Sequence, residues 1–331
     1  MALTKKKSSM ILGNGMAVPE NILTNQEMEA LVDTNDEWIR SRTGIEQRHI
    51  ANDDLTTSEL CTQAAQKAIR DAGISVDQID LILIGTVTGD VTFPATACFV
   101  QEKLGARNAA AIDLQAACSG FLYALNLADG MIASGKIKYA LIIGGELLSK
   151  IVDWKDRSTC VLFGDGAGAA VLGVADDSGR GIIDSYMKSD GSLTRLLCME
   201  GYGTKVPVEQ AIEQRLNYIH MDGPDVFKAA VTAMGDAASI ILDRNNLSGN
   251  DLDMIIPHQA NIRIINMTAK RIKAPREKVY VNVNRFGNTS AASIPLAMAE
   301  AKEKGCIQKG DLLLLVAFGG GFTWGSVLLR F

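Results

Sequence analysis

Three side chains whose types and positions could do chemistry are Cys118, His258 and Asn288. Cys118 follows the apolar run Ala110–Leu114 and precedes a helical pattern, so we expect its sulfur at a helix N-terminus. Free N–H groups and the helix dipole favour a thiolate there, which makes Cys118 a candidate nucleophile. A free cysteine can instead be an inert core residue, and position alone does not separate the two interpretations.

His258 is one of three histidines in the chain and comes directly after the strand pattern Met254–Ile256, where catalytic groups of α/β proteins lie. Asn288 lies in the second-half counterpart of the loop that holds the cysteine. Both residues also have a structural interpretation. A lone histidine is often structural, and Asn288, Thr289 or Ser290 could each cap the following helix.

Two glycine-rich segments follow or precede strand patterns. Gly319–Gly321 comes after the apolar run Leu312–Phe318. This segment is either a plain turn or a loop whose N–H groups join the amide of Cys118 in an oxyanion hole. The segment 163–169 lacks the G-x-G-x-x-G spacing of a dinucleotide loop and precedes the strand-like run Ala169–Val174, so we predict a turn that joins two strands.

Helices and short apolar strands alternate along the chain and must position these residues. An amphipathic helix is predicted over Ser58–Ala72, and a second helix over Ser119–Ser134. A fully apolar central strand is predicted in 80–85, and further strands are predicted over 110–114 and 139–143. This alternation is typical of parallel sheets with helices on both faces, and the fold class is therefore α/β.

The second half of the chain repeats the first. The pattern of 65–85 aligns without a gap on 238–258, an offset of 173 residues, and another pair of segments falls at nearly the same offset. The polar stretch 175–181 lies between the repeats. We therefore expect one half over residues 1–178 and one over 179–331, with the site where the halves meet.

The composition fits a globular protein with a large core. Of 331 residues, 47% are hydrophobic and 21% charged, and a net charge of −5 argues against nucleic-acid binding. Six cysteines form neither a disulfide framework nor a C-x-x-C pair, so we expect reduced thiols, no metal site and a cytoplasmic location. No apolar run is long enough to span a membrane, and the N-terminus with Lys5–Lys7 is interpreted as an uninformative extension without a secretory signal.

Together these motifs resemble β-ketoacyl-acyl-carrier-protein synthase III, a thiolase-fold family that starts bacterial fatty-acid synthesis. The resemblance runs nearly end to end and implies two duplicated halves in a layered αβαβα core. Six segments carry it in order: 33–45 (DTNDEWIRSRTGI), 116–120 (AACSG), 156–169 (DRSTCVLFGDGAGA), 258–261 (HQAN), 287–293 (GNTSAAS) and 317–324 (AFGGGFTW).

The resemblance implies a decarboxylative Claisen condensation of an acyl-CoA primer, expected to be acetyl-CoA, with malonyl-acyl-carrier protein to give a 3-oxoacyl-acyl-carrier protein. Cys118 would carry the acyl group while the amides of Cys118 and Gly320 hold the oxyanion. His258 and Asn288 would donate hydrogen bonds to the malonyl thioester and stabilise the enolate that loss of CO₂ leaves. The CoA thioester is the substrate, and no metal or redox cofactor is expected.

Five further residues match positions that bind CoA in the family. Trp38 and Arg157 resemble residues that sandwich the adenine by stacking and cation–π contact. Arg42 and Arg263 would meet the phosphates, and Asn261 is similar to a residue that lines the pantetheine channel. For each residue, a plain surface or core role is what the sequence alone suggests.

Two partner surfaces are expected. Phe93 resembles the residue that a partner subunit inserts at the acyl pocket, which implies a homodimer. Independently of the resemblance, Arg263, Asn266, Lys270 and Lys273 fall on one helical face after the histidine motif. Such a positive patch in an acidic chain could dock the acidic acyl-carrier protein.

Several alternatives share part of this pattern. A relative of quinolone, polyketide or long-chain hydrocarbon pathways would have the same Cys-His-Asn site. A thiolase would need a second catalytic cysteine near the C-terminus, and a 3-hydroxy-3-methylglutaryl-CoA synthase a catalytic glutamate. A non-catalytic acyl-binding subunit would be expected to have lost one member of the site. The segment 192–218 is longer than in acetyl-using members, which leaves acetyl, branched and longer primers open.

Overall fold

The computed structural model describes residues 9–331. The residues interpreted as an extension, Lys5–Lys7 among them, lie outside the described residues. The strands are β1 (Ser9–Ala17), β2 (Ile22–Thr24), β3 (Gln47–His49), β4 (Leu81–Gly85), β5 (Ala110–Leu114), β6 (Tyr139–Glu146), β7 (Gly166–Val174), β8 (Gly181–Ser189), β9 (Leu197–Cys198), β10 (His220–Met221), β11 (Met254–Pro257), β12 (Leu312–Gly319) and β13 (Thr323–Arg330).

The helices connect these strands or cover their faces. They are α1 (Asn25–Glu29), α2 (Asp36–Thr43), α3 (Thr57–Ala72), α4 (Thr96–Leu104), α5 (Gly120–Ala133), α6 (Arg157–Cys160), α7 (Val208–Glu213), α8 (Gly223–Arg244), α9 (Ile262–Arg271), α10 (Val283–Phe286) and α11 (Ser293–Glu303). Within residues 9–331, none of the helices has the length and hydropathy needed to cross a membrane.

Two sheets form the centre of the molecule. The first has the order β1-β7-β6-β4-β5 and the second the order β11-β12-β13-β8. The predicted parallel pairing is found for β6, β4 and β5 and for β11 and β12. The sheets are mixed, because β7 pairs antiparallel with β6 and β13 pairs antiparallel with β12.

Strands β4 and β12 are covered on both faces, as their sequences predict, whereas β5 is an edge strand without a buried residue. Along β4, Leu81 and Leu83 pack into a cluster with α5, α11 and the second sheet, whereas Ile82 and Ile84 pack against α3. β12 alternates in the same way between that central cluster and a third cluster that contains α8. The result is five layers: α3, the first sheet, α5 with α11, the second sheet, and α8.

The internal duplication predicted from the sequence is visible in the element boundaries. α5 begins at Gly120 and α11 at Ser293, 173 residues later, and β6 and β12 begin at the same offset. Each of the two central helices follows a 3₁₀ turn, Ala117–Ser119 in one half and Ser290–Ala292 in the other. The chain passes from the first sheet to the second between 174 and 181. A division into 1–178 and 179–331 stays a prediction.

The glycine-rich segment 163–169 is not the predicted turn between two strands. It follows the short helix α6, and β7 already begins at Gly166. A Cβ on Gly168 would lie 2.4 Å from the backbone nitrogen of Leu296, so this glycine lets α11 pack directly on the strand.

Candidate active site

One large cavity opens where the two halves meet. Its volume is about 1600 Å³, and side chains from both halves line it. The structure brings together here Cys118, His258 and Asn288, and Gly320 also lines the wall. These residues come from four segments distant in sequence, each at the carboxyl end of a strand or in the loop before a central helix.

Cys118 lies in the 3₁₀ turn that leads into α5, with a relative exposure of 9%. Ala117 before it has a φ of 45°, in the left-handed region that non-glycine residues rarely adopt. Burial raises the pKa of the Cys118 thiol to about 12, against a lowering hydrogen bond from Ser290. The predicted position before a helix is therefore found, and desolvation of the buried sulfur outweighs the local dipoles that favour a thiolate.

The backbone amide of Cys118 is accessible only because the facing residue has no side chain. A Cβ on Gly319 would lie 2.6 Å from the Cys118 nitrogen. Gly320 follows, so its amide belongs to the loop that approaches the cysteine. Two N–H groups from distant segments can hold an oxyanion in such an arrangement.

His258 comes directly after β11 and is fixed at both its backbone and its ring. Its N–H donates to the Val316 carbonyl at 2.8 Å, and Nδ1 lies 2.6 Å from Oγ of Ser293. Burial lowers the pKa of His258 to about 3, so the ring is neutral at any working pH. Because Nδ1 is engaged with a hydroxyl, Nε2 is the nitrogen left for a ligand.

Asn288 is held by its backbone and by its own side-chain carbonyl. Its N–H donates to the Leu162 carbonyl at 2.9 Å, and Oδ1 accepts from the Ser290 N–H at 2.9 Å. The amide NH₂ is then the group available to a ligand. The expected helix cap is not found, because the 3₁₀ turn intervenes and α11 starts at Ser293 without a side-chain cap.

Comparison with known proteins identifies the family. A family described as 3-oxoacyl-[acyl-carrier-protein (ACP)] synthase III matches residues 112–191, and its C-terminal part matches 242–331. The β-ketoacyl-[acyl-carrier-protein] synthase III of Xanthomonas campestris pv. campestris is 51% identical over 329 residues, which cover 99% of this chain and 100% of that protein. This chain belongs to the 3-oxoacyl-[acyl-carrier-protein] synthase III family.

Two further comparisons agree with membership of the synthase III family. The β-ketoacyl-[acyl-carrier-protein] synthase III of Caldanaerobacter subterraneus subsp. tengcongensis is 49% identical over 329 residues and covers 99% of both chains. The crystal structure of 3-oxoacyl-[acyl-carrier-protein] synthase III from Aquifex aeolicus superposes with a TM-score of 0.91 at 46% identity, covering 98% of this chain and 100% of that one. The thiolase-like fold expected from the motifs is confirmed.

At the mouth of the cavity, two of the residues expected to sandwich adenine lie against each other. The Arg157 guanidinium is 4.1 Å from the centre of the Trp38 ring, and its Nη1 donates to the Asp33 carbonyl. A flat ring between them needs two contact distances, about 7–8 Å, so Arg157 must swing away to admit one. Trp38 lines the cavity, whereas Arg157 is not among its lining residues.

The other expected CoA residues also lie at the mouth. Arg42 and Arg263 are exposed and line the cavity, and the Arg263 guanidinium lies 4.7 Å from the centre of the Phe227 ring. Asn261 caps α9 by accepting from the Arg263 N–H, and its amide donates to the Arg42 carbonyl. Asn261 therefore ties the two arginine-bearing segments together.

The expected basic face is only partly helical. α9 ends at Arg271, and Lys273 lies beyond it with a φ of 54°. The prediction that Lys273 belongs to the same helical face is thus wrong, because the helix stops before the last turn required. Arg263 and Lys270 are exposed on α9, and Lys273 is exposed after it.

Phe93 does not line the cavity of its own chain. It is 83% exposed and lies in the segment between β4 and α4. Val91 and Ile112 are about half exposed and line the cavity wall. The open edge of the first sheet is β5, so an apolar surface and an unpaired strand edge occur on the same side of the site.

Three polar residues of the site were not singled out from the sequence. They are Glu146, Ser290 and Ser293, all buried. Glu146 ends an apolar strand, and a polar residue at the carboxyl end of a central strand was the available signal. Within residues 9–331, no group of three or more metal-ligating side chains converges.

Proposed function

We propose that this protein condenses an acyl-CoA primer with malonyl-acyl-carrier protein, with loss of CO₂, and so initiates fatty-acid synthesis. Membership of the synthase III family supports the reaction class. The observation that carries the assignment of roles is that Cys118, His258 and Asn288 line one cavity between the two halves.

In the first half-reaction, Cys118 attacks the thioester carbonyl of the primer and CoA leaves. The carbonyl oxygen becomes negative in the tetrahedral intermediate, and the amides of Cys118 and Gly320 stabilise it. The absence of a side chain at Gly319 supports this role, because any side chain there would cover the backbone amide of Cys118.

In the second half-reaction, malonyl-acyl-carrier protein loses CO₂ and its thioester carbonyl takes up the electron pair. Nε2 of His258 and the amide of Asn288 donate to this oxygen. Both donors are neutral, the asparagine by nature and the histidine through burial, so neither changes charge as the enolate forms. The enolate carbon attacks the acyl group on Cys118. Two N–H donors serve as the electron sink, so the step needs neither a metal nor a redox cofactor.

CoA and the pantetheine arm of the carrier would share one entrance. Trp38 and Arg157 would part to hold the adenine, and Arg42 and Arg263 would meet phosphates. Asn261, which also lines the cavity, would contact the pantetheine arm. This arrangement matches a long, flexible substrate with a flat charged end and a reactive thioester end.

Acyl-carrier protein would dock beside this entrance. Arg263, Lys270 and Lys273 supply exposed positive charge next to the mouth in a chain of net charge −5. Such a local patch steers an acidic partner in the orientation that brings its arm to the cavity.

The active form would be a homodimer. Phe93, 83% exposed on its own chain, would insert at the acyl pocket of a partner across the open β5 edge. Large exposed aromatic side chains at an unpaired sheet edge favour association.

The primer would be acetyl-CoA, taken up in a cytoplasmic setting. A panel of acetyl-, isobutyryl- and octanoyl-CoA tests this together with the reaction itself. Intact mass spectrometry should show one acyl group added to the wild-type chain and none added to Cys118→Ser. Malonyl-acyl-carrier protein should then remove the adduct and yield a 3-oxoacyl product. An adduct that persists in Cys118→Ser, or one that malonyl-acyl-carrier protein leaves in place, would contradict the proposed function.

A further inference from the structure

Glu146 is a fully buried carboxylate at the carboxyl end of β6, beside the candidate site. It accepts hydrogen bonds from Thr88 Oγ1 at 2.6 Å, Val87 N–H at 3.1 Å and Thr86 Oγ1 at 3.2 Å. A fourth donor, Ser290 Oγ, reaches it at 3.1 Å from the other half of the molecule. All four donors are neutral, and among residues 9–331 no lysine, arginine or histidine forms an ion pair with it.

A buried carboxylate with only neutral partners is costly to keep charged. The roles assigned above to Cys118, His258 and Asn288 do not use it. Both of its oxygens accept hydrogen bonds, Oε2 from Thr86, Val87 and Thr88 and Oε1 from Ser290. Because no ion pair fixes its charge, this carboxylate can gain or lose a proton, which makes it a candidate for a proton function.

Ser290 connects this carboxylate to the nucleophile. Its hydroxyl donates to Glu146 Oε1, and its side chain lines the same cavity as Cys118 and, when it turns to the sulfur, lowers the pKa of the thiol. Its backbone has a φ of 49° in the left-handed region, and its N–H is fixed by Oδ1 of Asn288. With the hydroxyl proton directed at Glu146, the oxygen lone pairs are free to accept the thiol proton.

We propose that Ser290 and Glu146 form a proton relay that removes the thiol proton of Cys118 while the acyl-enzyme forms. This proposal rests on the nucleophilic role of Cys118 in the proposed function. Glu146 acts through Ser290 and is a positioning residue that accepts the proton without touching the substrate.

The step balances in atoms and charge. The S–H bond of Cys118 breaks and its electron pair stays on sulfur, which forms the new bond to the acyl carbon. The proton passes to Ser290 Oγ while the original hydroxyl proton passes to Oε1 of Glu146. The CoA thiolate leaves and takes a proton from solvent in the channel. After condensation expels the Cys118 thiolate, the same proton returns from Glu146 through Ser290.

The electrostatics of the site support this direction. Burial raises the pKa of Glu146 to about 7, near the value at which a base is half available at neutral pH. Burial also raises the pKa of Cys118, and the negative charge of Glu146 raises it further. Proton transfer to Glu146 removes that charge and therefore lowers the pKa of Cys118.

The other ionisable groups near Glu146 do not offer a competing base. Cys61 on α3 is fully buried, and burial, Glu146, Asp90 and Asp113 all raise its pKa, so it stays a thiol. A neutral Glu146 also favours the second half-reaction, because no carboxylate then stands near the forming enolate.

The test measures Cys118 reactivity in Glu146→Gln, which keeps the size of the side chain and one of its two acceptor oxygens but cannot take up a proton. Two probes are used across pH 5.5–9.5. The first is acetyl-CoA, followed by intact mass in single turnover. The second is iodoacetamide, which needs no CoA site and is followed on the Cys118 peptide, because Cys306 is exposed and Cys98 and Cys198 are partly exposed. In the wild type, both rates should rise through pH about 7. In Glu146→Gln, both should fall on the order of 10²-fold at pH 7 and rise only in alkaline solution.

Asp165→Asn is the matched control, since Asp165 is an equally buried carboxylate that accepts from Ser149 and Ala51 and does not touch the relay. It should keep the wild-type pH profile whatever its effect on Tm. Ser290→Ala removes the hydroxyl that connects Cys118 to Glu146. It should lower the same two rates and replaces Glu146→Gln as the test variant if that protein does not fold. Wild-type pH profiles with both probes in either relay variant would overturn the relay. A lower rate with acetyl-CoA alone, at an unchanged iodoacetamide rate, would also overturn the relay. If iodoacetamide alkylates Cys118 in the wild type but acetyl-CoA transfers no acyl group to it, the proposed function is contradicted instead.

Discussion

The hydroxyl of Ser293, the first residue of α11, lies 2.6 Å from Nδ1 of His258 at the end of β11. This contact joins a central helix to the ring that faces the cavity. If the hydroxyl donates to Nδ1, the single proton of the neutral ring stays on Nε2, where the malonyl thioester needs a donor. The pairing therefore sets both the orientation and the tautomer of the histidine.

Replacement of Ser293 by alanine tests this pairing. The hydrogen bond is worth about 1 kcal/mol, so Ser293→Ala should slow condensation roughly fivefold to tenfold. Acylation of Cys118 by acyl-CoA should not change, because His258 has no part in that step. Ser326→Ala removes another buried hydroxyl, bonded to the Ala237 carbonyl, and serves as the control. Equal slowing of both half-reactions would contradict the tautomer argument.

The missing side chain of Gly319 predicts an effect on the other half-reaction, the acylation of Cys118. In Gly319→Ala, the new methyl group would meet the Cys118 nitrogen at 2.6 Å and displace or cover that amide. Loss of one oxyanion donor should lower the acylation rate by roughly 10²–10³-fold. Gly130→Ala, in α5 with open space around its Cα, should leave acylation unchanged. Normal acylation in Gly319→Ala would show that the amide of Cys118 is not an oxyanion donor.

The buried histidine makes stability depend on pH. The pKa of His258 is about 3 in the folded chain against an ordinary value of 6.5. Between these values the unfolded chain binds a proton that the folded chain excludes, so the free energy of unfolding falls as pH drops below about 6.5. This contribution amounts to about 2 kcal/mol at pH 5.

Urea unfolding at pH 8 and pH 5 measures that effect. His258→Gln should lose about 2 kcal/mol less than the wild type between the two pH values. The raised pKa of Glu146 has the opposite effect, because it increases the free energy of unfolding as pH falls from about 7. Both proteins contain Glu146, so this effect cancels in the comparison. The same pH-dependent loss in both proteins would mean that His258 is not buried in its neutral form.

Charge reversal tests the docking surface. Lys270→Glu with Lys273→Glu should raise KM for malonyl-acyl-carrier protein roughly tenfold, because the patch steers an acidic partner. The effect should shrink at high salt, and acyl transfer from CoA should stay intact. Lys309→Glu makes the same kind of change at an exposed site before β12, at the end of the strand far from the cavity. Equal loss in both half-reactions, or the same loss in Lys309→Glu, would contradict the assignment.

The elements that position the site were predictable from sequence because burial on both faces leaves a clear pattern. The apolar run of β12 and its counterpart β6 predict central strands, and the offset of 173 residues predicts the duplication. The residue types at the ends of these strands then indicate Cys118 and His258. What could not be predicted is any property that depends on how completely the halves enclose the site.

The Cys118 thiol illustrates that limit. Its local position favours a thiolate, but its pKa is raised by packing of the second half over it, which no local pattern encodes. Ser293 and Glu146 were missed for a related reason. Each is an ordinary residue in its own segment and gains a role only from a contact with a residue 35 or 144 positions away, through His258 and Ser290 respectively.

The most direct test separates the two half-reactions in His258→Ala and Asn288→Ala. Acetyl transfer from acetyl-CoA to Cys118 is followed by intact mass, and CO₂ release from malonyl-acyl-carrier protein by labelled malonyl carbon. Each variant should form the acyl-enzyme at close to the wild-type rate and release CO₂ roughly 10²–10³-fold more slowly. Normal CO₂ release in either variant, or loss of acyl-enzyme formation in both, would contradict the division of labour among the three residues.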